Sequence, residues 1–466
     1  MKRGPAPLVA KLLETASRAP DRDAVVCAGE RLTYGALAAA VAEAANFLKE
    51  SGVHAGDRVI LTASGRDASF IRDYLACHRA GAIAVPIEPG ASETTLDGIR
   101  KLTSPKLSLP PGLKMKGGAS APVSVDLGDP ADILLTGGTT GRPKGVAQTH
   151  GNILAFARGR NAAVGASETD RLVLPLPLSH GFGLGRVRAT IFTGGTLVLV
   201  DGFMFAGSIL RALDEQRGNA FCCVPAGFAS LFRLTGDELG DFKDTLRYVE
   251  TATAVLTADS RDRLLRLLPR TRVFNSYGMT ETTSSIAFID LHSAPSKRES
   301  VGKPIPGVRI RLVDGRIWVR GKSVMKCYWK DAARTRRTLA GGWCATNDAG
   351  LIDEDGYLYL KGRVDDLINV GGLKVAPLEI ENTLRAHPAV RDCACLGTAD
   401  PAGVSGEAIK AFLVPAGADR PSRDELAGWL RGKLEAYKIP AVVVWVEALP
   451  RTRVGKIRKA DLRDAI

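Results

Sequence analysis

The chain has 466 residues, of which 45% are hydrophobic and 24% are charged. These proportions are ordinary for globular proteins, so they exclude a disordered or fibrous chain, and the length predicts about two to four compact units. The formal net charge of +13 fits either a solvated basic surface or an anionic partner, and charge alone does not choose between them.

Several classes of protein are excluded by what the sequence lacks. No apolar run approaches the roughly 18 residues that span a bilayer, and the first residues lack the unbroken apolar stretch of a signal peptide. We therefore expect a cytoplasmic protein with no membrane partner. The eight cysteines form no Cys-x-x-Cys pair, so structural zinc and a disulfide framework are not expected. The basic stretches lack the interleaved aromatic residues that stack on bases, so nucleic acid is not an expected partner.

In chain order, the first elements alternate between helix and strand. A helical stretch at 33–52 is followed by the strand "RVILTA", the helical "ASFIRDYLACHRAGA" and the strand "IAVPI". The segment 91–130 is rich in Gly, Pro and Ser and is predicted to be poorly structured. The alternation returns from "DRLVLPLPL" to "TRVFNSYG", and its continuous apolar strands are typical of parallel sheets covered by helices.

The predicted fold class is therefore α/β with two domains. Residues 1–364 form a large N-terminal domain of helix-covered sheets, with a β-rich subdomain from about 300 to 364 that includes a hairpin around Asp314 and Gly315. Residues 365–466 form a small mobile α+β C-terminal domain. The sequence shows no internal repeat.

A glycine-rich loop, "TGGTTGRPKG" at 136–145, follows the apolar run "DILL". We expect a strand, this loop and then a helix, "THGNILAFARGRN", so that the loop lies at the carboxyl end of a sheet, where open α/β folds bind ligands. Its glycines let backbone N–H groups approach a phosphate, and Lys144 adds a positive charge. It is not a Walker loop, because Lys144 precedes Gly145 rather than Ser or Thr. A mobile connection is the alternative.

Three more motifs follow this loop in order. They are "NSYGMTE" at 275–281, "WCATNDAGLIDEDGYLYLKGRVDDLINVGGLKVAPLEIE" at 343–381, and "PRTRVGKIRK" at 450–459. Together with the loop, they resemble the signatures of the adenylate-forming superfamily, which includes acyl-CoA synthetases, nonribosomal-peptide adenylation domains and beetle luciferases. The resemblance spans residues from about 30 to 460 and is nearest to the acyl- and aryl-CoA ligases.

The resemblance implies that ATP and Mg²⁺ bind to the large domain. In it, Tyr277 gives an aromatic face for adenine, Thr280 contacts the α-phosphate and Glu281 is the magnesium ligand. An oxygen-ligated cation suits a reaction that expels pyrophosphate. The full set of ATP-binding residues so implied is Thr136, Gly137, Gly138, Thr139, Thr140, Gly141, Lys144, Thr251, Ala252, Thr253, Asn275, Tyr277, Gly278, Thr280, Asp348 and Arg363.

The resemblance also implies the remaining roles. In the large domain, Asp348 holds the ribose. In the smaller domain, Lys456 is the adenylation lysine, bridging the incoming carboxylate and the α-phosphate. Asp365 is the hinge about which the domain swings, and Gly371 and Gly372 let a pantetheine arm pass. Catalytic roles are thus implied for Lys456, Thr280, Glu281 and His180.

The acid is expected to be fatty or aromatic rather than an α-amino acid. Amino-acid-activating relatives carry an Asp in a Phe-Asp-x-Ser context, whereas this chain has "PLPLSHGFGLG" and no carboxylate to pair with an ammonium. The stretch resembles that of acyl- and aryl-CoA synthetases, which assigns the acyl-site gate to His180. By position, the acid-binding residues are His180, Phe182, Val224, Ala226 and Ala252, and a buried core histidine is the alternative for His180.

The resemblance implies an acid–thiol ligase that makes acyl-AMP and then a thioester. Coenzyme A is the preferred acceptor, a stand-alone ligase loading an acyl carrier protein is the alternative, and a homodimer is possible. A catalytically weakened nucleotide-binding regulator is a third interpretation, suggested by three departures from the family pattern. These departures are Gly137 in the loop, Asn347 where the family has the glycine of Thr-Gly-Asp, and "ATAV" at 252–255 near the adenine.

Overall fold

The structure is a computed structural model that describes residues 3–65, 67–115, 118–136, 143–203, 205–401, 407–452 and 455–463. Its helices are α1 (Pro7–Arg18), α2 (Tyr34–Glu50), α3 (Ser69–Ala80), α4 (Glu93–Thr103), α5 (His150–Val164), α6 (Gly181–Thr193), α7 (Ala206–Glu215), α8 (Pro225–Thr235), α9 (Ala258–Leu267), α10 (Ala332–Thr338), α11 (Pro377–Arg385), α12 (Arg423–Leu430) and α13 (Lys459–Arg463).

The strands of the first 330 residues are β1 (Asp23–Cys27), β2 (Glu30–Thr33), β3 (Arg58–Thr62), β4 (Ile83–Ile87), β5 (Leu107–Leu109), β6 (Pro130–Thr136), β7 (Lys144–Thr149), β8 (Arg171–Leu174), β9 (Thr196–Leu199), β10 (Ala220–Cys222), β11 (Tyr248–Thr251), β12 (Arg272–Gly278), β13 (Ser285–Asp290), β14 (Lys303–Pro304), β15 (Val308–Val313), β16 (Arg316–Gly321) and β17 (Cys327–Tyr328).

The remaining strands are β18 (Leu339–Ala340), β19 (Trp343–Ile352), β20 (Leu358–Arg363), β21 (Ile368–Val370), β22 (Leu373–Val375), β23 (Val390–Ala399), β24 (Glu407–Pro415) and β25 (Val442–Trp445). None of the helices in the described ranges is long and apolar enough to cross a membrane.

The chain divides into two compact units. The first comprises residues 1–310 and 319–344, and the second comprises residues 311–318 and 345–466. The predicted fold class, a large N-terminal α/β domain with a small C-terminal one, is confirmed. The domain boundary at Asp365 stays a prediction.

Two sheets carry the first unit. Among the described residues, nine strands are hydrogen-bonded in the order β14-β13-β12-β11-β10-β8-β9-β1-β2, and six in the order β17-β7-β6-β4-β3-β5. In the nine-stranded sheet, β8, β10, β11 and β12 are neighbours and run parallel. The side chains of β8, β10 and β11 are almost wholly buried, which is why the sequence shows continuous apolar runs there.

The glycine-rich loop connects two antiparallel strands, so the predicted strand, loop and helix order was wrong. β7 intervenes, pairing with β6 so that Thr136 lies opposite Lys144 and Leu135 opposite Gly145. A Cβ on Gly145 would lie 2.8 Å from Ile133 Cγ2, so the two strands require a glycine at this close approach. A glycine in a sequence usually indicates a turn, so Gly145 led the sequence analysis to miss the strand β7. The helix α5 follows, capped by Thr149.

The segment 91–130 is also more ordered than its composition predicts. It contains the helix α4, which begins at the N-cap Ser92, and the strand β5, which pairs in parallel with β3. Ile99 and Thr103 are the buried side chains of this helix, so a short amphipathic face was enough to fix it against the sheet.

A buried polar network ties the strand before the glycine loop to the helix α6. Asp132 on β6 accepts hydrogen bonds from Tyr74 Oη at 2.9 Å and from Arg188 Nη2 at 2.5 Å, and His78 Nε2 lies 3.0 Å from its other oxygen. Burial alone would raise the pKa of Asp132, but Arg188 and His78 lower it overall. The carboxylate therefore stays charged and holds β6 and α6 in one arrangement.

Two small sheets lie wholly within the second unit. Within the described residues, β23, β24 and β25 form one sheet in that order, and β21 pairs with β22 in a two-stranded ribbon. The helix α11 packs on this unit through Ile380 and Leu384. The hairpin predicted around Asp314 and Gly315 is present, and both residues have the positive φ that such turns require.

Candidate active site

The residues predicted to bind the acid lie at the carboxyl ends of neighbouring strands. His180 and Phe182 follow β8, Val224 and Ala226 follow β10, and Ala252 follows β11. These three strands are adjacent and parallel, so their ends meet at one edge of the sheet, where open α/β folds bind ligands. Each of these side chains comes after a buried apolar run, which is how the sequence grouped them, and their role toward an acid stays a prediction.

His180 is the residue just before α6, and its side chain is paired. Its Nε2 contacts Glu88 Oε1, and Glu88 directly follows β4. Both side chains are about one-third exposed, at 36% for His180 and 31% for Glu88. The next residue, Gly181, adjoins the ATP residues, because a Cβ added there would lie 3.7 Å from Thr280 Oγ1. Glu88 was not identified from the sequence, where it is one acidic residue in a turn.

The residues expected near the adenine occupy the ends of β11 and β12. Thr251 and Asn275 are opposite each other in the parallel pair, and Ser276 Oγ donates to the carbonyl of Thr251 at 3.2 Å. Thr253 has a positive φ of 78°, which is uncommon for a β-branched residue. In the described residues the hydroxyl groups of Thr251 and Thr253 are buried without a hydrogen-bond partner. Such groups mark a place where a ligand can complete the hydrogen bonding.

Thr280 and Glu281 lie on a short 3₁₀ turn that is clamped from two sides. Gln148 Nε2 on β7 donates to the carbonyl of Thr280 at 2.8 Å. Tyr328 Oη on β17 donates to Glu281 Oε1 at 2.7 Å, and the N–H of Met325 donates to the carbonyl of Glu281 at 2.8 Å. Burial and the Glu281 charge raise the pKa of Tyr328, so its hydroxyl keeps its proton. Neither Gln148 nor Tyr328 was identified from the sequence.

The carboxylate of Glu281 is suited to a magnesium ion. Tyr328 holds one of its oxygens, and oxygen ligands are those that magnesium prefers. Among the described residues, no three His, Cys, Asp or Glu side chains come together as a metal cluster. Magnesium is usually held by one or two carboxylates together with substrate phosphates rather than by a protein cage.

Two of the predicted ATP-binding residues in the glycine-rich loop, Thr136 and Lys144, lie within the described residues. They end β6 and begin β7, are opposite each other in the ladder, and are both partly exposed. The predicted phosphate-binding residues between them lie outside the described residues: Gly137, Gly138, Thr139, Thr140 and Gly141. Tyr277 is buried, Gly278 lies against the backbone of Ser284, and both stay in the predicted ATP set.

A buried ionic cluster lies behind the acyl site. Glu250 on β11 contacts Arg160, and its other oxygen lies 2.6 Å from Arg186 Nη2; all three side chains are at most 1% exposed. The Arg186 guanidinium also lies 4.3 Å from the centre of the Phe182 ring. Burial and the neighbouring Arg160 lower the pKa of Arg186 to about 9. The sequence analysis identified none of these three residues, because nothing in a single sequence indicates that a charge is buried.

In the second unit, Asp348 and Arg363 are opposite each other on β19 and β20. The N–H of Asp348 bonds to Thr346 Oγ1 at 3.2 Å, and that hydroxyl donates to the carbonyl of Ile317 at 2.8 Å. The neighbouring Asn347 donates through Nδ2 to the carboxylate of Asp365. The residue that departs from the family pattern thus contacts the predicted hinge residue, a bond that a glycine could not make.

Gly371 and Gly372 form the two-residue turn between β21 and β22. Their φ values are 58° and 88°, and Val370 and Leu373 are paired across the turn. A primed turn of this kind requires positive φ at both central residues, so the backbone alone accounts for the two glycines. Their role toward a pantetheine arm stays a prediction.

Lys456 is exposed on a pinned loop of the second unit. Thr452 anchors it twice, with its N–H donating to the carbonyl of Lys456 at 2.8 Å and its hydroxyl accepting the N–H of Lys456 at 3.2 Å. Arg451 contacts Asp392 and the carbonyl of Gly455. The backbone that carries Lys456 is therefore held by hydrogen bonds, although the residue is exposed.

This chain belongs to the AMP-binding enzyme family. The family model described as AMP-binding enzyme matches residues 12–120 and 108–329, and the model described as AMP-binding enzyme C-terminal domain matches residues 379–456. The resemblance inferred from the four motifs is confirmed.

Individual relatives match from end to end. A feruloyl-CoA synthase from an Amycolatopsis species is 32% identical, over 96% of this chain and 96% of its own. ATP-bound MatB from Rhodopseudomonas palustris superposes with a TM-score of 0.91 at 27% identity, covering 99% of each chain. The o-succinylbenzoate CoA synthetase from Bacillus subtilis, in complex with ATP and magnesium, gives a TM-score of 0.87 at 27% identity, covering 99% of this chain and 100% of its own. The chain is an AMP-forming acid–thiol ligase.

Proposed function

We propose that this chain joins a neutral aromatic or fatty acid to coenzyme A in two half-reactions. In the first, a carboxylate oxygen attacks the α-phosphorus of ATP, which forms acyl-AMP as the bond to pyrophosphate breaks. In the second, a thiolate attacks the acyl carbon and AMP leaves. The observation that carries the proposal is the adjacency of the acyl and ATP residues on β8, β10, β11 and β12, within a chain related from end to end to a feruloyl-CoA synthase.

The proposed acid is neutral apart from its reacting carboxylate. Phe182, Val224 and Ala252 are buried, and they offer an apolar surface to an aromatic ring or an alkyl chain. The buried cation Arg186 lies 4.3 Å from the centre of the Phe182 ring, and Glu250 already compensates its charge. A second carboxylate on the substrate would therefore be desolvated without a new partner.

ATP would bind along the first unit, from the glycine-rich loop to the ends of β11 and β12. Thr280 would contact the α-phosphate, Tyr277 would line the adenine site, and Lys144 would lie toward the outer phosphates. Bound magnesium would supply positive charge to the phosphate oxygens, and Glu281 would hold it while Tyr328 keeps that carboxylate in one orientation. The buried hydroxyls of Thr251 and Thr253 support a ligand at this edge of the sheet.

The second unit would supply the remaining groups. Lys456 would place its ammonium between the attacking carboxylate and the α-phosphate, stabilising charge that develops in the transition state without transferring a proton. Asp348 would accept hydrogen bonds from the ribose hydroxyls, and Arg363 is proposed to bind ATP beside it. Movement about Asp365 would then exchange the Lys456 face for the Gly371 and Gly372 turn, so that one unit serves both half-reactions.

The first experiment is a substrate screen. The purified chain is supplied with Mg²⁺, ATP and, in turn, ferulate, indole-3-acetate, 2-succinylbenzoate, octanoate or phenylalanine, and pyrophosphate release is measured. We expect ferulate, indole-3-acetate or octanoate to be turned over faster than 2-succinylbenzoate, and phenylalanine not at all. If AMP formed with none of the acids, the proposal would be rejected in favour of a nucleotide-binding regulator.

The second experiment tests the acceptor and the exchange of faces. The best acid is offered with coenzyme A or with a phosphopantetheinylated acyl carrier protein, and the thioester is detected by mass spectrometry. Names of relatives such as the feruloyl-CoA synthase favour coenzyme A over the carrier protein. The Lys456→Ala variant should lose adenylation by two orders of magnitude or more, yet convert supplied acyl-AMP to thioester at nearly the normal rate. Equal loss in both steps would contradict the exchange.

A further inference from the structure

Gln148 is a fully buried polar side chain whose hydrogen bonding is only half met. It lies on β7 with 0% exposure, and its Nε2 donates to the carbonyl of Thr280 at 2.8 Å. Its Oε1 is buried and has no hydrogen-bond partner among the described residues. An unbonded buried oxygen lowers stability, and an apolar side chain of similar length would avoid that cost. What a glutamine supplies at this position is therefore its bond to Thr280.

This bond reaches a turn that carries two residues of the proposed ATP site. The 3₁₀ turn (Thr280–Thr282) presents Thr280 and Glu281, which are both half-buried. It ends at Thr283, whose φ of 73° is rare for a β-branched residue. Backbone strain of this kind persists only where the surroundings hold it, and it clusters at functional sites. The turn is therefore held in a conformation that it would not keep by itself.

The turn is held from two different parts of the first unit. The segment before β17 holds its middle through the N–H of Met325 and its end through Ser323, whose carbonyl accepts a hydrogen bond from Thr283 Oγ1 at 2.6 Å. Gln148 holds its first residue from β7 instead. The carbonyl of Thr280 also accepts the N–H of Thr283 at 3.0 Å, but that bond lies within the turn and does not fix it to the sheet. Without the Gln148 amide, this carbonyl would stay bonded, and Thr280 would lose its tether to β7.

We propose that Gln148 is a positioning residue for adenylation, whose bond fixes Thr280 relative to β7. The inference rests on the proposed function, in which Thr280 contacts the α-phosphate and the glycine-rich loop, from which β7 starts, binds the outer phosphates. Gln148 itself would touch neither substrate. Because reaction requires the carboxylate and the α-phosphorus to meet in a strict geometry, a displaced Thr280 should lower kcat more than it raises KM.

The Gln148→Met variant separates positioning from structural support, because it keeps the length of the side chain and removes the whole amide. The midpoint of thermal unfolding should stay within about 2 °C of the unmodified chain, since the unbonded Oε1 is removed together with the lost bond. AMP binding, measured by isothermal titration calorimetry on the full chain, should weaken about fivefold, because Thr280 loses part of a charge-assisted hydrogen bond to the phosphate. With the best acid of the panel, kcat for pyrophosphate release should fall about 50-fold, whereas KM for Mg·ATP should rise only about fivefold.

Two controls locate the effect. Gln216→Met, at a half-buried glutamine that accepts a hydrogen bond from Arg31 at 3.0 Å, is the matched control and should change neither AMP binding nor kcat. Tyr328→Phe alters the partner of the proposed magnesium ligand, so it should leave AMP binding unchanged while magnesium-dependent binding of ATP weakens. A loss of AMP binding in Gln148→Met but in neither control would therefore assign the effect to the α-phosphate.

The outcomes separate this inference from the proposed function. If Gln148→Met binds AMP within about twofold of the unmodified chain, the positioning role is refuted. Gln148→Leu removes the amide with a different shape and must give the same results. If the unfolding midpoint falls by more than about 5 °C in both variants, Gln148 is a structural support and the inference is also refuted. If the unmodified chain binds AMP but releases no pyrophosphate with any acid, the proposed function fails, and AMP binding by the variants still decides the inference.

Discussion

The buried cluster around Glu250 gives the sharpest test of how the acyl side of the site is built. Glu250 lies between Arg160 and Arg186, and no side chain of the three is more than 1% exposed. Replacing Glu250 by Gln keeps the shape but leaves two buried guanidinium groups without a counter-charge. The other partners of Arg186 are neutral hydroxyls, Ser284 Oγ at 3.4 Å and Ser285 Oγ at 3.1 Å.

The expected cost of Glu250→Gln is about 3 to 5 kcal/mol of the free energy of unfolding, the range found when one partner of a buried ion pair is removed. Urea unfolding of the full chain, followed by fluorescence and far-ultraviolet circular dichroism, measures it. The control is Glu299→Gln, whose side chain is 74% exposed and paired with Arg261, and which should cost less than about 1 kcal/mol.

A loss below about 1 kcal/mol for Glu250→Gln would refute the reasoning, since it would mean that water or another group already compensates the two arginines. A Glu250→Gln/Arg160→Gln double variant adds a check. Removing one of the two cations along with the anion should cost less than the sum of the losses measured separately for Glu250→Gln and Arg160→Gln.

Three further predictions concern packing, pH and magnesium. Gly302→Ala should destabilise the chain by more than about 3 kcal/mol in urea unfolding, because its Cβ would lie 1.8 Å from a backbone carbonyl oxygen at a φ of 88°. The control is Gly307→Ala, which has a similar φ of 86° but open space around the added Cβ, and it should cost only about 1 kcal/mol. Burial and His78 lower the pKa of His150 to about 3, well below the ~6.5 of an unfolded chain, so the unfolded state takes up the proton first and the free energy of unfolding decreases as the pH is lowered. Between pH 7 and pH 5 the loss should be about 2 kcal/mol, and the His150→Asn variant should lack it. Tyr328→Phe should weaken magnesium-dependent ATP binding about tenfold in calorimetry, while ATP binding without magnesium changes little, because the Glu281 carboxylate loses the bond that orients it.

Apolar periodicity predicted the large parallel sheet well. Strands such as β10 and β11 are buried on both faces, so their sequences are continuous apolar runs that a single chain reveals. The residues predicted to bind the acid follow three of these runs, so their place at one edge of the sheet could be inferred from the sequence, whereas their role toward an acid stays a prediction.

The elements that the sequence missed lack such a signal. The strand β7 contains Gly145 at a close backbone approach, and α4 buries only two side chains. Glu88, Tyr328 and the Glu250 cluster act through contacts between residues far apart in the chain. Their partners are 92, 47 and at least 64 positions away, and no local pattern reports such distances. These contacts are set by how the elements pack together, so they can be identified only from the three-dimensional structure.

The ladder between Thr136 and Lys144 also has a consequence for evolution and for protein engineering. Both ends of the intervening segment are anchored side by side, and the Asp132 network secures the strand that leads into it. A loop held at both ends in this way can exchange its residues without disturbing the scaffold, provided that its ends remain in register. Chimeras that transplant this segment from a relative should therefore fold, whereas those that shift the ladder by one residue should turn Val146 out of the core.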